Sequence, residues 1–327
     1  MRALSLLVVV LPLLGCPETP PPGGMDSAVL LDERGLSAPL VCPGAKGCED
    51  ASGRLRAGAA ARAITPPVGP DQPPVWMAGF DIGRQATGMH DDQWARALVL
   101  ESGSTAVGVV VFDLVGLFHD DVQRIRQAAQ DAGLDLDQVF VITTHVHEAK
   151  DAMGMWGEAV GKSGIDPDYM TRLVDESVAA LGEARAALAP VSLRVGRADA
   201  SPWVNDTRQP IVLDPTVTTL DFVDDTGASH ATLVAWGNHP EALGGDNTLL
   251  TSDYPGYLRD ELEARLPGTI VVFAPGLLGG LTTPIRLNVC PDEAGVDACP
   301  QGTFERAEKI GREVRSEEHT SELQSQR

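Results

Sequence analysis

Aromatic residues are scarce in this 327-residue chain, at 5%, and lysine is scarcer still, with four among the 25 basic residues. Acidic residues number 46, which leaves a formal charge of −21. So little positive charge offers no footprint for a phosphate backbone, so no nucleic-acid partner is expected, and no basic patch for an anionic lipid surface. The sequence contains no G-x-S-x-G elbow, no P-loop and no H-E-x-x-H helix. Serine-triad hydrolysis and phosphate-cradle chemistry therefore have no motif to rest on. Past the first sixteen residues no apolar run is long enough to span a bilayer, which takes about 20 residues. What the chain does have is 43% hydrophobic residues, a globular composition with room for one large or two ordinary domains.

The N-terminus reads as an export signal. Arg2 precedes the apolar stretch Ala3–Leu14, and Leu13-Leu14-Gly15-Cys16 resembles a bacterial lipobox, in which the Cys thiol is lipidated and becomes the new N-terminus. Residues 1–16 are expected to be a lipoprotein signal peptide, with an ordinary signal peptide as the alternative. The mature chain is then expected on the bacterial cell envelope, held to the membrane by its lipid anchor alone. Residues 17–56, opening with PETPPPGG, read as a Pro/Gly-rich tether and disordered approach. With Cys16 as the anchor, Cys42, Cys48, Cys290 and Cys299 remain. In an oxidising compartment they suggest disulfides, Cys42–Cys48 and Cys290–Cys299 being the local pairs. A four-thiolate zinc site is the alternative, although neither pair has C-x2-C spacing. At the other end, Arg315–Ser325 (RSEEHTSELQS) resembles the translation of a common sequencing-library adapter. Residues 315–327 are therefore expected to be an artefact, and the natural chain to continue past Val314.

Residues 57–314 alternate apolar runs with amphipathic stretches. Ala95–Glu101, Ala106–Phe112, Val139–Thr143, Val191–Val195, Thr216–Phe222, Ala231–Trp236 and Thr269–Phe273 read as strands. His119–Gly133, Asp168–Ala187 and Tyr254–Leu266 read as helices, with apolar residues at spacings of three and four. The order implies an α/β domain with a mixed, largely parallel sheet flanked by helices.

Polar clusters follow three of these strands: Asp113 after the second, Thr144-His145-Val146-His147-Glu148 after the third, and Gly237-Asn238-His239-Pro240-Glu241 after Trp236. Open α/β sheets bind ligands beyond the carboxyl ends of their strands, so these residues are candidates for one cleft. In an extended segment i and i+2 share a face, which would aim His145 and His147 at one point. A catalytic zinc needs about three protein ligands, so H-x-H requires a distant partner, and His239 is the natural one. The bland alternative is an incidental pair on a polar strand end. His90, in Gly88-Met89-His90-Asp91, is a cleft candidate or part of a structural turn; His119 and His230 read as surface residues.

Several runs, in order from Ala57 to Gly280, resemble the neutral/alkaline, non-lysosomal ceramidase family. They are Ala57–Pro67 (AGAAARAITPP), Met77-Ala78-Gly79-Phe80, Gly88-Met89-His90-Asp91 with Ala95–Leu100, Phe112-Asp113-Leu114-Val115-Gly116, Thr144-His145-Val146-His147, Trp156-Gly157, His239-Pro240-Glu241 and Ser252–Tyr257 (SDYPGY). The resemblance implies a zinc amidohydrolase that cleaves the N-acyl bond of ceramide, or of a similar lipid-like amide, into fatty acid and sphingoid base. It places zinc ligands on His145 and His239. It places His147 on the substrate side and a substrate-contacting Arg on Arg208, for which a surface ion pair is the alternative; a proton must also reach the leaving amine, and His147 is the candidate to carry it. Asp113, His90 and Asp253 are candidates to stand behind the ligands, and Asp113 alternatively caps a turn. The sequence departs from the family pattern at four positions. Glu148 and Lys150 put charge where the family has small or rigid residues. Gly276 stands where the family has the Ser of its F-A-Q-S-N-x-G-D segment, and Gly280 where it has the Asp. The family's remaining ligands, a Glu and a Tyr, fall beyond Val314, so the chain as it stands is expected to be inactive.

Overall fold

Runs of valine, alanine and leucine bounded by tight turns or by helices set the architecture. The computed structural model describes residues 53–278, 282–293 and 295–320. In chain order the first strands are β1 (Arg56–Ala63), β2 (Gly88–Met89), β3 (Trp94–Ser102), β4 (Thr105–Phe112) and β5 (Gln138–Thr143). Then come β6 (Ala189–Pro190), β7 (Ser192–Asp199), β8 (Asn205–Asp206), β9 (Thr216–Val223) and β10 (Ser229–Trp236). The last are β11 (Leu249–Leu250), β12 (Ile270–Pro275) and β13 (Thr282–Thr283). The helices are α1 (His119–Asp131), α2 (Pro167–Ala186), α3 (Asp253–Arg265) and α4 (Phe304–Thr320).

Two large sheets pack face to face, in the orders β5-β4-β3-β1-β6 and β12-β10-β9-β7. Helices α1 and α2 cover the outer face of the first, and α3 and α4 that of the second. Along β3, Ala95, Ala97 and Val99 join the α2 side while Leu98 faces the second sheet; along β12, Val271 and Phe273 join the α3 side while Val272 and Ala274 face the first. Burial on both faces is why these strands read as continuous apolar runs. Asp166 caps α2 by accepting hydrogen bonds from the Asp168 and Tyr169 amides at 3.0 and 3.4 Å, with Pro167 at its first position.

The mixed α/β class agrees with the sequence, but the expected predominance of parallel pairing does not hold. Within the two large sheets only β4–β5 and β10–β12 run parallel, while the other pairings are antiparallel. The turns explain this. Gly103-Ser104 joins β3 to β4 and Asp224–Ala228 joins β9 to β10, and connections that short join only antiparallel strands. The parallel pairs are those whose connection contains a helix, α1 or α3. Besides the two-residue strands, two longer elements had no counterpart in the sequence expectations. Strand β1 is built from an alanine run, and its small side chains let α2 lie against it. Helix α4 seats Ala307, Ile310 and Val314 against Tyr254, Leu258 and Leu262 of α3. Cys290 and Cys299 are joined as a disulfide, with Cα atoms 5.4 Å apart. Cys16, Cys42, Cys48, Gly280 and the leader lie outside the described residues.

The carboxyl ends of the two parallel pairs, one from each sheet, meet at the same edge of the sandwich.

Candidate metal centre

His145 and His147 leave the end of β5, and His239 leaves the end of β10. Their ring centroids lie 4.9 Å (His145–His239), 5.1 Å (His145–His147) and 5.8 Å (His147–His239) apart. One ligand atom from each lies within 4.8 Å of the other two. The i, i+2 expectation is right in outcome and wrong in route. His145 is not extended: its φ of +66° puts it in the left-handed region, which costs a non-glycine residue about 1 kcal/mol or more. The turn is held by Thr144 N donating to Phe112 O at 2.8 Å and His145 N to Leu114 O at 3.0 Å.

The hydrogen bonds fix two tautomers. His145 Nδ1 lies 2.6 Å from Val115 O, and His239 Nδ1 lies 2.6 Å from Thr282 O. A carbonyl only accepts, so each Nδ1 carries the proton and each Nε2 keeps its lone pair. This is the arrangement in which a backbone carbonyl behind a metal-binding histidine sets its tautomer. His147 differs, since both its ring nitrogens are buried without a hydrogen-bond partner. Glu241 Oε2 lies 3.4 Å from His147 Nδ1, and the Thr283 hydroxyl donates to Glu241 Oε1. Burial pushes the pKa of His145 and His239 below the usual histidine value and that of His147 well below it, where the two neighbouring imidazoles add to the effect. All three rings are therefore neutral at pH 7, the form that binds metal. Burial also raises the Glu241 carboxyl. Three convergent neutral imidazoles, one with orphaned ring nitrogens, fit a zinc-class ion.

A buried polar frame supports His147. One terminal nitrogen of Arg84 donates to His147 O and, at 2.6 Å, to Ala78 O. The other reaches Glu148 Oε2 at 3.0 Å and Asn247 O at 3.3 Å. Asn247 Nδ2 adds a bond of 2.8 Å to Glu148 Oε2. Burial pushes the Glu148 carboxyl up to about 8 in spite of Arg84. The Arg84 guanidinium also lies 4.9 Å over the Phe80 ring, whose edge meets His147 at 4.8 Å. Gly79 (φ +101°) closes the other side, and a Cβ there would lie 2.5 Å from His147 Cγ. The second departure, Lys150, is also absorbed: its ammonium lies 5.6 Å over the Tyr169 ring and 3.7 Å from Asp166.

The other candidates fall elsewhere. Asp113 orients no histidine. Its buried carboxylate pairs with both terminal nitrogens of Arg259 at 2.8 Å and accepts from Ser252 Oγ at 2.8 Å and Trp94 N at 2.9 Å, tying α3 to the first sheet. His90 is exposed, 2.9 Å from Asp91 and stacked on Phe304 at 3.7 Å, away from the three imidazoles. Asp253 is buried at the start of α3 with φ +53° and its carboxyl pushed up to about 7; it accepts from Leu243 N at 3.4 Å and so braces the segment that carries His239. Arg208 is exposed on the loop after β8, where its amide donates to Asp206 Oδ1 at 2.9 Å, and its side chain makes no polar contact with the imidazoles. Gly276 leaves no room for a hydroxyl-bearing side chain as the backbone stands: a Cβ there would lie 2.9 Å from Gly237 N. Sequence reasoning did not assign Arg84, Phe80, Asn247 or Thr283 to the site, and it placed Glu241 there only as one of the polar residues that follow β10. The one available signal was the pair of unexpected charges at Glu148 and Lys150, each of which demands a buried partner.

No protein-family model matches the chain. Neutral ceramidase of Pseudomonas aeruginosa is 25% identical over 259 residues, 72% of this chain and 38% of that protein. The crystal structure of neutral ceramidase from Pseudomonas aeruginosa superposes with a TM-score of 0.69 and 20% identity, covering 84% of this chain and 46% of that one. A structure of ceramidase complexed with C2 gives the same TM-score at 21% identity, covering 84% and 45%. The chain thus spans less than half the length of the proteins it matches. Within that span it is similar to neutral ceramidase in sequence and shares its fold.

Proposed function

We propose that this chain carries the histidine side of a zinc amidohydrolase site that acts on a ceramide-type N-acyl amide, releasing fatty acid and a sphingoid base. The observation that carries this reading is the convergence of His145, His147 and His239, with the Nδ1 protons of His145 and His239 engaged behind them. His145 and His239 would hold the ion through Nε2. Bound zinc would supply a Lewis acid and lower the pKa of water toward about 7. The chain's own part is positional: Val115 O and Thr282 O orient the two rings, and burial keeps them unprotonated. The similarity to neutral ceramidase supports the substrate class. We further propose export and lipid anchoring at Cys16, a reading with which the Cys290–Cys299 disulfide agrees.

Gly276 favours a second reading, because glycine offers no side-chain donor where the family has serine. In that reading the chain is an envelope lipoprotein of the same fold with another amide or ester substrate, or one that binds without catalysis. Zinc content of the intact protein, followed by fatty-acid release from ceramide, separates these. Zinc with turnover supports the first reading, and zinc without turnover leaves the second. Absence of both would sink the enzyme readings.

A further inference from the structure

The carbonyl that orients His239 belongs to Thr282 in β13, a strand of two residues paired with the equally short β8. Strands that short do not hold themselves, and the described residues between β13 and α4 form turns and one isolated bridge. Arg306, in the first turn of α4, supplies the missing support. Its side chain is 0% exposed. One terminal nitrogen donates to Pro284 O at 2.7 Å and Leu287 O at 2.8 Å, just past β13. The other donates to Asp297 Oδ2 at 2.9 Å and Cys299 O at 3.2 Å. The Cys290–Cys299 disulfide closes the loop that presents those last two acceptors. Inside it, Asp297 Oδ1 accepts from the Cys290 and Cys299 amides at 3.2 and 3.1 Å, so bridge, carboxylate and guanidinium form one unit. That unit also touches the histidine turn directly: Gly302 N, between Cys299 and Arg306, donates to Ala242 O at 3.2 Å.

We infer that Arg306 and the Cys290–Cys299 disulfide are positioning elements for His239, a clamp that sets the metal centre only once the disulfide has formed; this rests on the zinc and export readings above. Without the bridge, Asp297 and Cys299 are free to leave Arg306, and a buried guanidinium without its carboxylate is strongly disfavoured. Arg306 then releases Pro284 and Leu287, and Thr282 O loses its fixed place behind the His239 ring. A bridge across nine positions constrains the unfolded chain less than one that closes a long loop, so its effect falls on local geometry. The bridge forms by exchange: the two thiols give up two protons and two electrons to a protein disulfide, which leaves as a dithiol. In a reducing cytosol both cysteines stay thiols. The histidine turn is therefore loose before export and set after it, which delays zinc capture until the chain has crossed the membrane.

Amide hydrogen exchange on the metal-free full chain reads the clamp without any ion. The probe is His239 N, which donates to Thr282 O at 3.0 Å. Cys290→Ser with Cys299→Ser isolates this bridge, because a phosphine reductant would also reach Cys42 and Cys48. The double variant should lose about 10-fold or more of the protection at His239 and over residues 282–290, while β3 and β4 keep theirs. Arg306→Lys, which keeps the charge but not the fork, should do the same. In the intact protein, chelator competition should show Zn2+ weakened about 10–100-fold by the double variant, the loss expected when an orienting partner of a ligand is disturbed. Phosphine reduction of the wild-type protein needs no variant, so an Arg306→Lys chain that fails to fold does not shelter the inference. Unchanged exchange at His239, a loss spread evenly over both sheets, or Zn2+ held as tightly without the bridge overturns it. An intact protein that binds no zinc in either redox state sinks the zinc reading instead, and the exchange at His239 still decides the clamp.

Discussion

Replacing Arg84 by methionine strips the frame behind His147 of its only cation among the described contacts. The guanidinium serves four acceptors: Ala78 O, His147 O, Asn247 O and Glu148 Oε2. Both members of the Arg84–Glu148 pair are almost wholly buried, their side chains being 4% and 0% exposed. Breaking a buried pair from one side costs about 3–5 kcal/mol, because the remaining charge has no compensation. Two features pull the figure to the low end. Asn247 still donates to Glu148 Oε2, and burial has already raised this carboxyl to about 8, so at pH 7 it can take a proton instead of standing charged. We expect a loss of about 3 kcal/mol in urea unfolding at pH 7 for Arg84→Met. Arg84→Met with Glu148→Leu should recover part of that loss, since a buried pair replaced by apolar groups of similar volume is often close to neutral. The recovery stays incomplete, as Ala78 O and His147 O each lose a donor. A single variant that costs less than about 1 kcal/mol, or a double variant no more stable than the single, would refute the claim that the pair is energetically coupled.

Three further outcomes follow from the geometry. Arg259→Met should cost about 3–5 kcal/mol, because it strands the buried Asp113, yet leave zinc affinity unchanged; a shift in affinity measured by chelator competition would return Asp113 to the metal site. The metal-free chain should lose stability as pH falls below about 6.5, because histidines of the unfolded chain take up protons there while the buried site resists until lower pH. His147→Asn should flatten that acid limb in pH-dependent unfolding, and an unchanged limb would show that the ring is not held neutral by the fold. Gly276→Ser should destabilise by about 1–3 kcal/mol, since its Cβ would press on the Gly237 amide, and should not raise ceramide turnover; a stable, more active variant would refute the steric account.

Much of the fold was legible because strands buried on both faces leave long apolar runs, and helices with one buried face leave a three-four spacing. The long strands from β3 to β12 and the helices α1 to α3 fall within a few residues of expectation. Strand β1 was illegible because alanine favours no strand, and its place depends on α2 lying against it. The pairing direction was misjudged because apolar runs report burial and not direction; the short Gly103-Ser104 turn carried that information. In the site, His145, His147 and His239 stood out because each follows a strand end, which the chain itself displays. Arg84 and Glu148 could not be paired in advance, since they are 64 positions apart and meet only once the sheets have formed. Asp113 misled for the same reason: it follows a strand end as the histidines do, but its partner is Arg259 on a helix 146 positions further along.

The three imidazoles do not belong to one sheet. Two hang from β5 in the first and one from β10 in the second, so an ion seated among them would act as a rivet through the sandwich. Its affinity would be spent holding the layers together as well as presenting an open coordination position. At a free concentration 100 times the dissociation constant, such an ion would add about 2.7 kcal/mol to the folded state. A chain whose sheets had slipped apart could not form the site at all. Metal uptake would therefore report correct assembly of the two layers before any substrate arrived.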